Sequence, residues 1–251
     1  MNSDVELLKK RFSELARRSA NGGYFTFTDF LGLLEQSAFN EIKRTLPTEY
    51  TVFGGFDGAE RIMIRFGNEN EIGYPAPFPI KTILIKPKSE KFAETLSHRD
   101  FLGSLMNLGI ERECLGDIVI IENRAYLFAE EEIAPFIISS LERVRNTDVT
   151  AEECNIDADF TPYRTETRQI QISSERLDAV IAKTFHLSRD DAQMLFRRGL
   201  VFVDGRLIES VSHTPKSGDR ITVRTLGRIR YGGVVGTSKK GKLNVTVEVY
   251  C

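Results

Sequence analysis

The sequence contains no tryptophan, and it has only three cysteines and three histidines among its 251 residues. Cys114, Cys154 and Cys251 are far apart, and none lies close to a histidine or to another cysteine. This spacing fits neither a zinc site nor a disulfide framework. We therefore interpret the cysteines as structural thiols and expect no metal ion and no cofactor.

Long apolar runs are also missing. No stretch approaches the roughly 20 residues needed to cross a bilayer, and the N-terminal residues lack the apolar core and cleavage site of a signal peptide. The chain is 41% hydrophobic and 28% charged, which is enough to bury more than one compact core. These features predict a folded cytoplasmic protein that does not contact membranes.

The net charge of -2 hides an uneven distribution. Residues 164–242 contain 16 Lys and Arg against 8 Asp and Glu, a balance of +8 that leaves -10 for the rest of the chain. Long-range attraction depends on local charge, so a basic region on an acidic body is typical of a phosphate-binding module. The alternative is a basic face that is simply solvated.

Residues 1–74 predict an N-terminal α/β domain. Apolar residues at helical spacing predict a first helix that stops at the Asn-Gly-Gly run of residues 21–23. A second helix is expected after an extended start, with Thr28 or Asp29 as its N-cap. Residues 50–66 then predict two strands joined by a glycine-rich turn. No suitably spaced helix follows these glycines, which argues against a dinucleotide-binding loop.

Residues 75–155 predict a second domain, which begins where Pro75, Pro77 and Pro79 interrupt regular structure. Apolar periodicity in this region gives the order β-α-β-β-α-β, a ferredoxin-like pattern that RNA-recognition domains share. Tyr126 and Phe128 alternate onto one face of the predicted sheet. We interpret them as core or sheet-covering residues in preference to a platform for stacking bases.

Residues 156–170 are polar and aperiodic and predict a linker, after which residues 171–251 form the basic domain. Its first predicted helix, with Ser173 or Ser174 as a cap, buries an apolar stripe and leaves Arg176 and Lys183 on a basic face. Ser188 is expected to cap a second helix. On that helix three polar residues recur every four positions, in a row that could follow a phosphate backbone: Arg189, Gln193 and Arg197. Short strands follow, two of them joined by a turn at Asp204 and Gly205.

Several motifs here resemble the S4 RNA-binding domain. They are Arg176-Leu177-Asp178, Ser188-Arg189, Arg198-Gly199-Leu200-Val201, Asp204-Gly205 and Gly218-Asp219. The resemblance implies two short helices and a small antiparallel sheet whose basic face binds structured RNA. By position it implicates Arg176, Ser188, Arg189, Gln193, Arg197, Arg198 and Arg206. The sequence departs from the pattern at Asp190, Asp191 and Asp204, which add acid to this surface.

Over nearly its full length the chain also resembles the YlmH-type family. The matching stretches are FGGFDGAER, LSHRDFLGSLMNLGIERECLGDI and GRIRYGGVVGTSKKGKLNVTV. The resemblance implies binding of ribosomal RNA on the large subunit with peptidyl-tRNA in bacterial ribosome-associated quality control, and the family also carries a cell-division label. Independently, the tail predicts a flexible segment that becomes ordered against phosphates. Its basic residues are Arg228, Arg230, Lys239, Lys240 and Lys242.

Two other classes of function compete with an RNA-binding module. Arg176-Leu177-Asp178 matches part of a pseudouridine-synthase signature, but it opens a helix, so we interpret Asp178 as part of a polar helix face. A protein-interaction or cell-division adaptor is the other alternative. The sequence favours an α+β, non-catalytic, monomeric protein that binds rRNA and possibly tRNA and has no small-molecule substrate.

Overall fold

A computed structural model describes residues 2–157 and 160–250. Cys251 and two residues of the predicted linker lie outside this part of the chain. The protein folds into two compact units: the first comprises Met1–Glu35 and Glu41–Pro162, and the second comprises Gln36–Asn40 and Tyr163–Cys251. Apart from Gln36–Asn40, both regions predicted as separate N-terminal domains belong to the first unit. The boundary between them at residue 75 stays a prediction. No described helix is long and apolar enough to span a membrane.

Within its described residues the first unit contains eight strands, four whole helices and the two ends of a fifth helix, whose residues Gln36–Asn40 belong to the second unit. In chain order they are α1 (Asn2–Gly22), β1 (Thr26–Phe27), α2 (Leu33–Ile42), β2 (Tyr50–Phe53), β3 (Met63–Phe66), α3 (Glu69–Ile72), β4 (Ile80–Pro87), α4 (His98–Asn107), β5 (Leu115–Ile121), β6 (Arg124–Glu130), α5 (Ala134–Ser140), β7 (Arg143–Val144) and β8 (Thr147–Cys154).

The N-terminal part of this unit forms a three-stranded sheet in the order β1-β3-β2. Helix α1 and the hairpin of β2 and β3 follow the prediction, but α2 begins at Leu33, so the expected caps Thr28 and Asp29 are wrong. The reason is that Thr28, directly after β1, is hydrogen-bonded to β3. Its hydroxyl accepts a hydrogen bond from the backbone N–H of Ile64 at 2.9 Å and donates one to the carbonyl of Asp29 at 2.8 Å.

The central sheet has the order β5-β6-β4-β8-β7, and all of its pairings are antiparallel. Helices α4 and α5 provide its core together with inward residues such as Ile83, Ile85 and Leu127, which are all 0% exposed. The elements follow one another in the order β4-α4-β5-β6-α5-β7-β8, and the ferredoxin-like description stays a prediction. The last helix is α5. It ends at Ser140, because Val144 is buried in this core as part of the additional short strand β7.

The second unit contains two helices and six strands within its described residues. They are β9 (Thr165–Ile172), α6 (Leu177–Thr184), α7 (Arg189–Arg197), β10 (Val201–Val203), β11 (Arg206–Leu207), β12 (Arg220–Val223), β13 (Gly227–Thr237) and β14 (Leu243–Tyr250). The strands form one antiparallel sheet in the order β11-β10-β12-β13-β14-β9.

Two predictions for this unit are wrong. Residues 165–170 were expected in a linker, but they lie in β9, which pairs with β14 over its whole length. Ile170 and Ile172 pack at the core and give the polar strand its inward face. The tail is likewise not a flexible segment, because β13 and β14 pair as a long hairpin. Val245 and Val247, both 0% exposed, hold the hairpin to the core.

The two helices of this unit pack on the sheet through the predicted apolar stripes. Leu177, Val180 and Ile181 are 0% exposed. Ser188 caps α7 as expected, since its hydroxyl accepts from the backbone N–H of Asp191 at 3.1 Å. The predicted serine cap of α6 is wrong. Arg176 occupies that N-cap position, and no side chain makes the capping hydrogen bond.

Candidate nucleic-acid interface

A buried aspartate organises the basic face of the two helices. Asp178 is 0% exposed, and its carboxylate accepts two hydrogen bonds from Arg176, both at 3.1 Å. From the first turn of α7, the Nε of Arg189 also donates to Asp178 at 3.1 Å, and the amide of Gln193 donates at 3.4 Å. The interpretation of Asp178 as part of a polar helix face is therefore wrong, because Arg176 at the N-cap of α6 and two side chains of α7 enclose it.

This arrangement fixes the position of two arginines without neutralising both. Burial alone would raise the pKa of Asp178, but the hydrogen bonds from Arg176 and Arg189 outweigh it and hold the pKa below its ordinary value. The carboxylate is thus ionised and balances one of the two guanidinium charges. Side chains of Arg176 and Arg189 stay 37% and 43% exposed. Each guanidinium has five N–H donors, so it can hold Asp178 and still bind an external anion.

A groove of about 480 Å³ lies beside Arg189 in the second unit. Besides Arg189 of α7, its basic lining residues are Lys183 from α6, His186 from the connection between the helices, and Lys242, the residue before β14. From the sequence, Lys183 and Lys242 were expected on separate surfaces, a helix face and the tail. The fold brings them together, because β14 pairs with β9, the strand that leads into α6.

The predicted row on α7 is not uniform. Arg189 and Gln193 are tied to Asp178, whereas Arg197 is exposed at the last position of the helix. Arg198 is exposed at the C-cap, where its backbone N–H donates to the carbonyl of Met194 at 3.0 Å. The row is therefore two anchored side chains followed by one exposed arginine, and the exposed Arg198 lies next to it in the sequence.

The other predicted binding residues occupy different places on the second unit. Arg206 is exposed on β11, directly after the turn at Asp204, where the backbone φ is 46°. Lys239 and Lys240 are exposed in the turn of the long hairpin. Arg228 and Arg230 lie on β13, and neither lines the groove.

Sequence reasoning missed the role of Asp178 and the contribution of His186. A signal for Asp178 was present, because it lies three residues before Ile181, a spacing that places the two side chains at neighbouring positions of α6. A charged residue on the buried side of a helix requires a partner. Arg189, eleven residues later in the chain, supplies it across the helix pair, a distance that helical periodicity does not reveal.

The central sheet of the first unit offers no open aromatic platform at the predicted position. Phe128 is 0% exposed, and the centroid of its ring lies 4.8 Å from the ring centroid of Phe56. Tyr126 contacts the ring of Phe160 at 5.3 Å. A Cβ added at Gly116 on the same sheet would come within 2.7 Å of Phe30. Aromatic residues from outside the sheet therefore cover this face, as the sheet-covering interpretation expected.

Other polar groups of the first unit have structural partners. The carboxylate of Asp100 accepts hydrogen bonds from the backbone N–H and the hydroxyl of Ser97, at 2.8 and 2.7 Å, and so forms a helix cap. Burial, followed by the charge of Glu130, raises the pKa of the Cys114 thiol to about 11. In residues 2–157 and 160–250, no three His, Cys, Asp or Glu side chains are grouped so as to hold a metal ion.

Two family models match the chain. Residues 75–158 match the putative RNA-binding domain in YlmH, and residues 175–221 match the S4 domain. The S4 match contains Asp178, both anchored arginines and the exposed end of α7. The chain therefore carries two domains of RNA-binding families, and the second coincides with the described basic face.

Curated relatives extend this similarity. The ribosome-associated protein quality control protein P2 of Bacillus subtilis (strain 168) is 31% identical over 222 residues, which cover 88% of this chain and 86% of that protein. An uncharacterized RNA pseudouridine synthase of Aquifex aeolicus (strain VF5) is 32% identical over 75 residues, which cover 30% of this chain and 27% of that protein. A solved structure of the cell division protein ylmH from Streptococcus pneumoniae matches with a TM-score of 0.49 and 20% identity, over 61% of this chain and 92% of that one.

Proposed function

Because the chain belongs to the YlmH family of S4-domain proteins, we propose that it binds structured ribosomal RNA on the large ribosomal subunit, together with peptidyl-tRNA. In this proposal it acts as a monomer in ribosome-associated quality control in the cytoplasm. The similarity to the ribosome-associated quality control protein of Bacillus supports association with the ribosome. The two RNA-binding family matches support RNA as the polymer that is bound.

The observation that carries the proposal is the pair of arginines held by buried Asp178. Arg176 and Arg189 each donate to its carboxylate at 3.1 Å and remain partly exposed. A side chain that is already fixed loses little conformational entropy when it binds, and a guanidinium matches the geometry of phosphate oxygens. Phosphate contacts position a protein on RNA without reading its bases, so recognition here depends on the shape and backbone of folded RNA.

The same observation argues against catalysis by Asp178. A catalytic carboxylate has to touch the reacting base, whereas Asp178 is 0% exposed and its oxygens face two arginines and Gln193. The similarity to a pseudouridine synthase covers 27% of that protein, so it carries no activity to this chain. We therefore propose a non-catalytic role.

Removing two charges from the helix surface tests the proposed site. Arg189→Ala combined with Arg197→Ala should weaken binding to isolated large subunits about tenfold or more, since each arginine provides charge-assisted hydrogen bonds to phosphate. Co-sedimentation with large subunits at fixed salt measures this. A matched control, Lys216→Ala with Arg224→Ala, removes two exposed positive charges from the same unit and should retain most of the binding.

Unchanged sedimentation of the Arg189 and Arg197 variant would count decisively against this surface. The adaptor alternative makes a different prediction about salt. Binding through phosphates should weaken steeply as salt rises, because counterions are released from the RNA. Binding to a protein partner through an apolar surface should persist in high salt.

A further inference from the structure

The sheet of the second unit has a second face, opposite to the helices. Along β13 and β14 the inward residues are fully buried, for example Ile229 and Val247 at 0% exposure. Successive residues of a strand alternate between the two faces. Arg228 and Arg230 flank Ile229 in the sequence and therefore lie on the outer face.

Neighbouring strands place a third arginine on this outer face. In the register of β12 and β13, Arg220 lies directly opposite Arg230, and Thr222 lies opposite Arg228. Side chains of Arg220 and Arg230 are 40% and 46% exposed. Like charges at directly opposed positions of an antiparallel pair are destabilising, so this pairing costs stability in the free protein.

The nearby carboxylates compensate only weakly for this repulsion. Asp204 approaches Arg220 at 3.7 Å, and Glu248 approaches Arg230 at 4.0 Å. Both distances exceed the 2.7–2.9 Å of a charge-assisted hydrogen bond. The two guanidinium groups thus retain most of their capacity to bind an external anion.

An aromatic pair adjoins these arginines. The guanidinium of Arg228 lies 5.3 Å from the ring centroid of Tyr163 and 5.5 Å from that of Tyr250. The two tyrosine rings are 5.9 Å apart and nearly perpendicular. Guanidinium planes and tyrosine rings are the groups on which proteins stack unpaired nucleic-acid bases.

Uncharged polar side chains continue the outer face toward its edge. Thr246 on β14 pairs with Gln169 on β9, and Asn244 pairs with Gln171. The amide of Gln171 donates to the side-chain oxygen of Asn244 at 3.0 Å. Hydroxyl and amide groups can bond to ribose hydroxyls and to base edges, which carry both donors and acceptors.

We propose that this outer face binds an unpaired segment of RNA. Phosphates contact Arg220 and Arg230, and a base stacks beside Arg228 and Tyr250. The inference rests on the proposed function for the identity of the polymer, and it adds a second surface on the opposite side of the sheet from the helices. An acidic peptide would match the arginines but not the aromatic pair, and the bases of a duplex are stacked on one another and cannot reach the rings.

The test uses the full chain and a labelled 12-nucleotide oligoadenylate as the probe. Arg220→Gln with Arg230→Gln should weaken binding about tenfold and reduce the slope of log K against log salt by about 1.4, since each phosphate contact on single-stranded nucleic acid contributes about 0.7. Tyr250→Leu should weaken binding fivefold or more by removing the ring. Tyr250→Phe should retain binding.

Controls separate local damage from loss of the site. Arg220→Lys with Arg230→Lys changes the same two positions but keeps both charges. This variant should retain most of the binding. Lys216→Gln with Arg224→Gln removes two charges elsewhere in the same unit and should have little effect. Oligoadenylate affinity equal to wild type in the Arg220 and Arg230 glutamine variant would overturn the inference. Equal competition by a 12-base-pair RNA duplex or by polyglutamate would also overturn it.

Failure of this inference can be distinguished from failure of the proposed function. If the outer-face variants bind oligoadenylate normally while the Arg189 and Arg197 variant leaves the large subunit, the inference fails and the proposed function stands. If the wild-type chain does not sediment with large subunits but the outer-face variants lose oligoadenylate, the ribosomal role fails and the outer face remains an RNA site.

Discussion

Each compact unit buries an aspartate close to two arginines, but the two clusters use the arginines differently. In the first unit Asp117 is 8% exposed, and it lies near Arg61 and Arg112. In the second unit Asp178 is 0% exposed and binds Arg176 and Arg189 directly. The same residue types form an internal cross-link in one unit and a positioned cationic surface in the other.

The arginines of the first unit are directed at backbone carbonyls. Arg61 donates to the carbonyls of Leu115 and Phe30, both at 2.7 Å, and to that of Arg112 at 3.1 Å. Asp117 meanwhile accepts the backbone N–H groups of Glu60 and Arg61, at 2.7 and 3.0 Å. These bonds join segments that are far apart in the sequence, so the donors are used inside the protein.

The difference teaches that burial and hydrogen-bond direction decide what an arginine does. Burial and the charge of neighbouring Arg61 lower the pKa of Arg112 to about 10, which still leaves it protonated at neutral pH. Its charge serves to orient carbonyl groups. Around Asp178 the carboxylate is enclosed and the guanidinium groups reach solvent, so the charge is presented outward.

The largest effect that would test this contrast is on stability. Arg61→Met should lower the free energy of unfolding of the first unit by about 3–5 kcal/mol, because the carbonyls of Phe30 and Arg112 lose the Arg61 donor and that of Leu115 keeps only its bond from Arg112. Hydrogen exchange of amides in the first unit, followed against urea, measures this loss. Arg61→Lys is the matched control. Its free energy of unfolding should lie between those of the wild type and Arg61→Met, since one ammonium cannot reach all three carbonyls. A loss below about 1 kcal/mol for Arg61→Met would show that the cross-link is dispensable.

A second prediction concerns the thiol beside the first cluster. A solvent-facing cation nearby would lower the pKa of a cysteine, yet burial and Glu130 raise the pKa of Cys114 to about 11. At pH 8 Cys114 should therefore react with iodoacetamide about a hundredfold more slowly than a free thiol of ordinary pKa. Peptide mass spectrometry across a pH series resolves the individual cysteines.

The control for the thiol prediction is the same labelling in denaturant, where the difference should vanish. Fast labelling of native Cys114 at pH 8 would mean that the positive charge of the cluster reaches the thiol. The arginines of the first unit would then not be used only inside the protein, and the contrast between the two units would be wrong.

Patterns within a few residues of sequence predicted many helices and strands of this molecule. The errors arise where a residue or strand depends on a contact with a part of the chain that is distant in the sequence. The helices of the second unit and the cap at Ser188 follow from 3.6-residue periodicity and side-chain chemistry within one turn. Strand β9 was missed because its outer face is polar and its pairing partner, β14, lies more than seventy residues away. Asp178 was misplaced for the same reason, since only the packing of α7 on α6 buries it.

The smallest of the three predicted effects is a change in RNA affinity at the second cluster, and the direction of that change is the test. Asp178→Asn should weaken binding to the large subunit about tenfold, because the amide cannot hold both guanidinium groups in place. The matched control is Asp190→Asn, which removes the same charge from an exposed position on α7. Simple electrostatics predicts tighter RNA binding for both substitutions, since each removes a negative charge near phosphates. Co-sedimentation should show opposite changes, and a gain in affinity for Asp178→Asn would mean that Asp178 opposes binding and does not position the arginines.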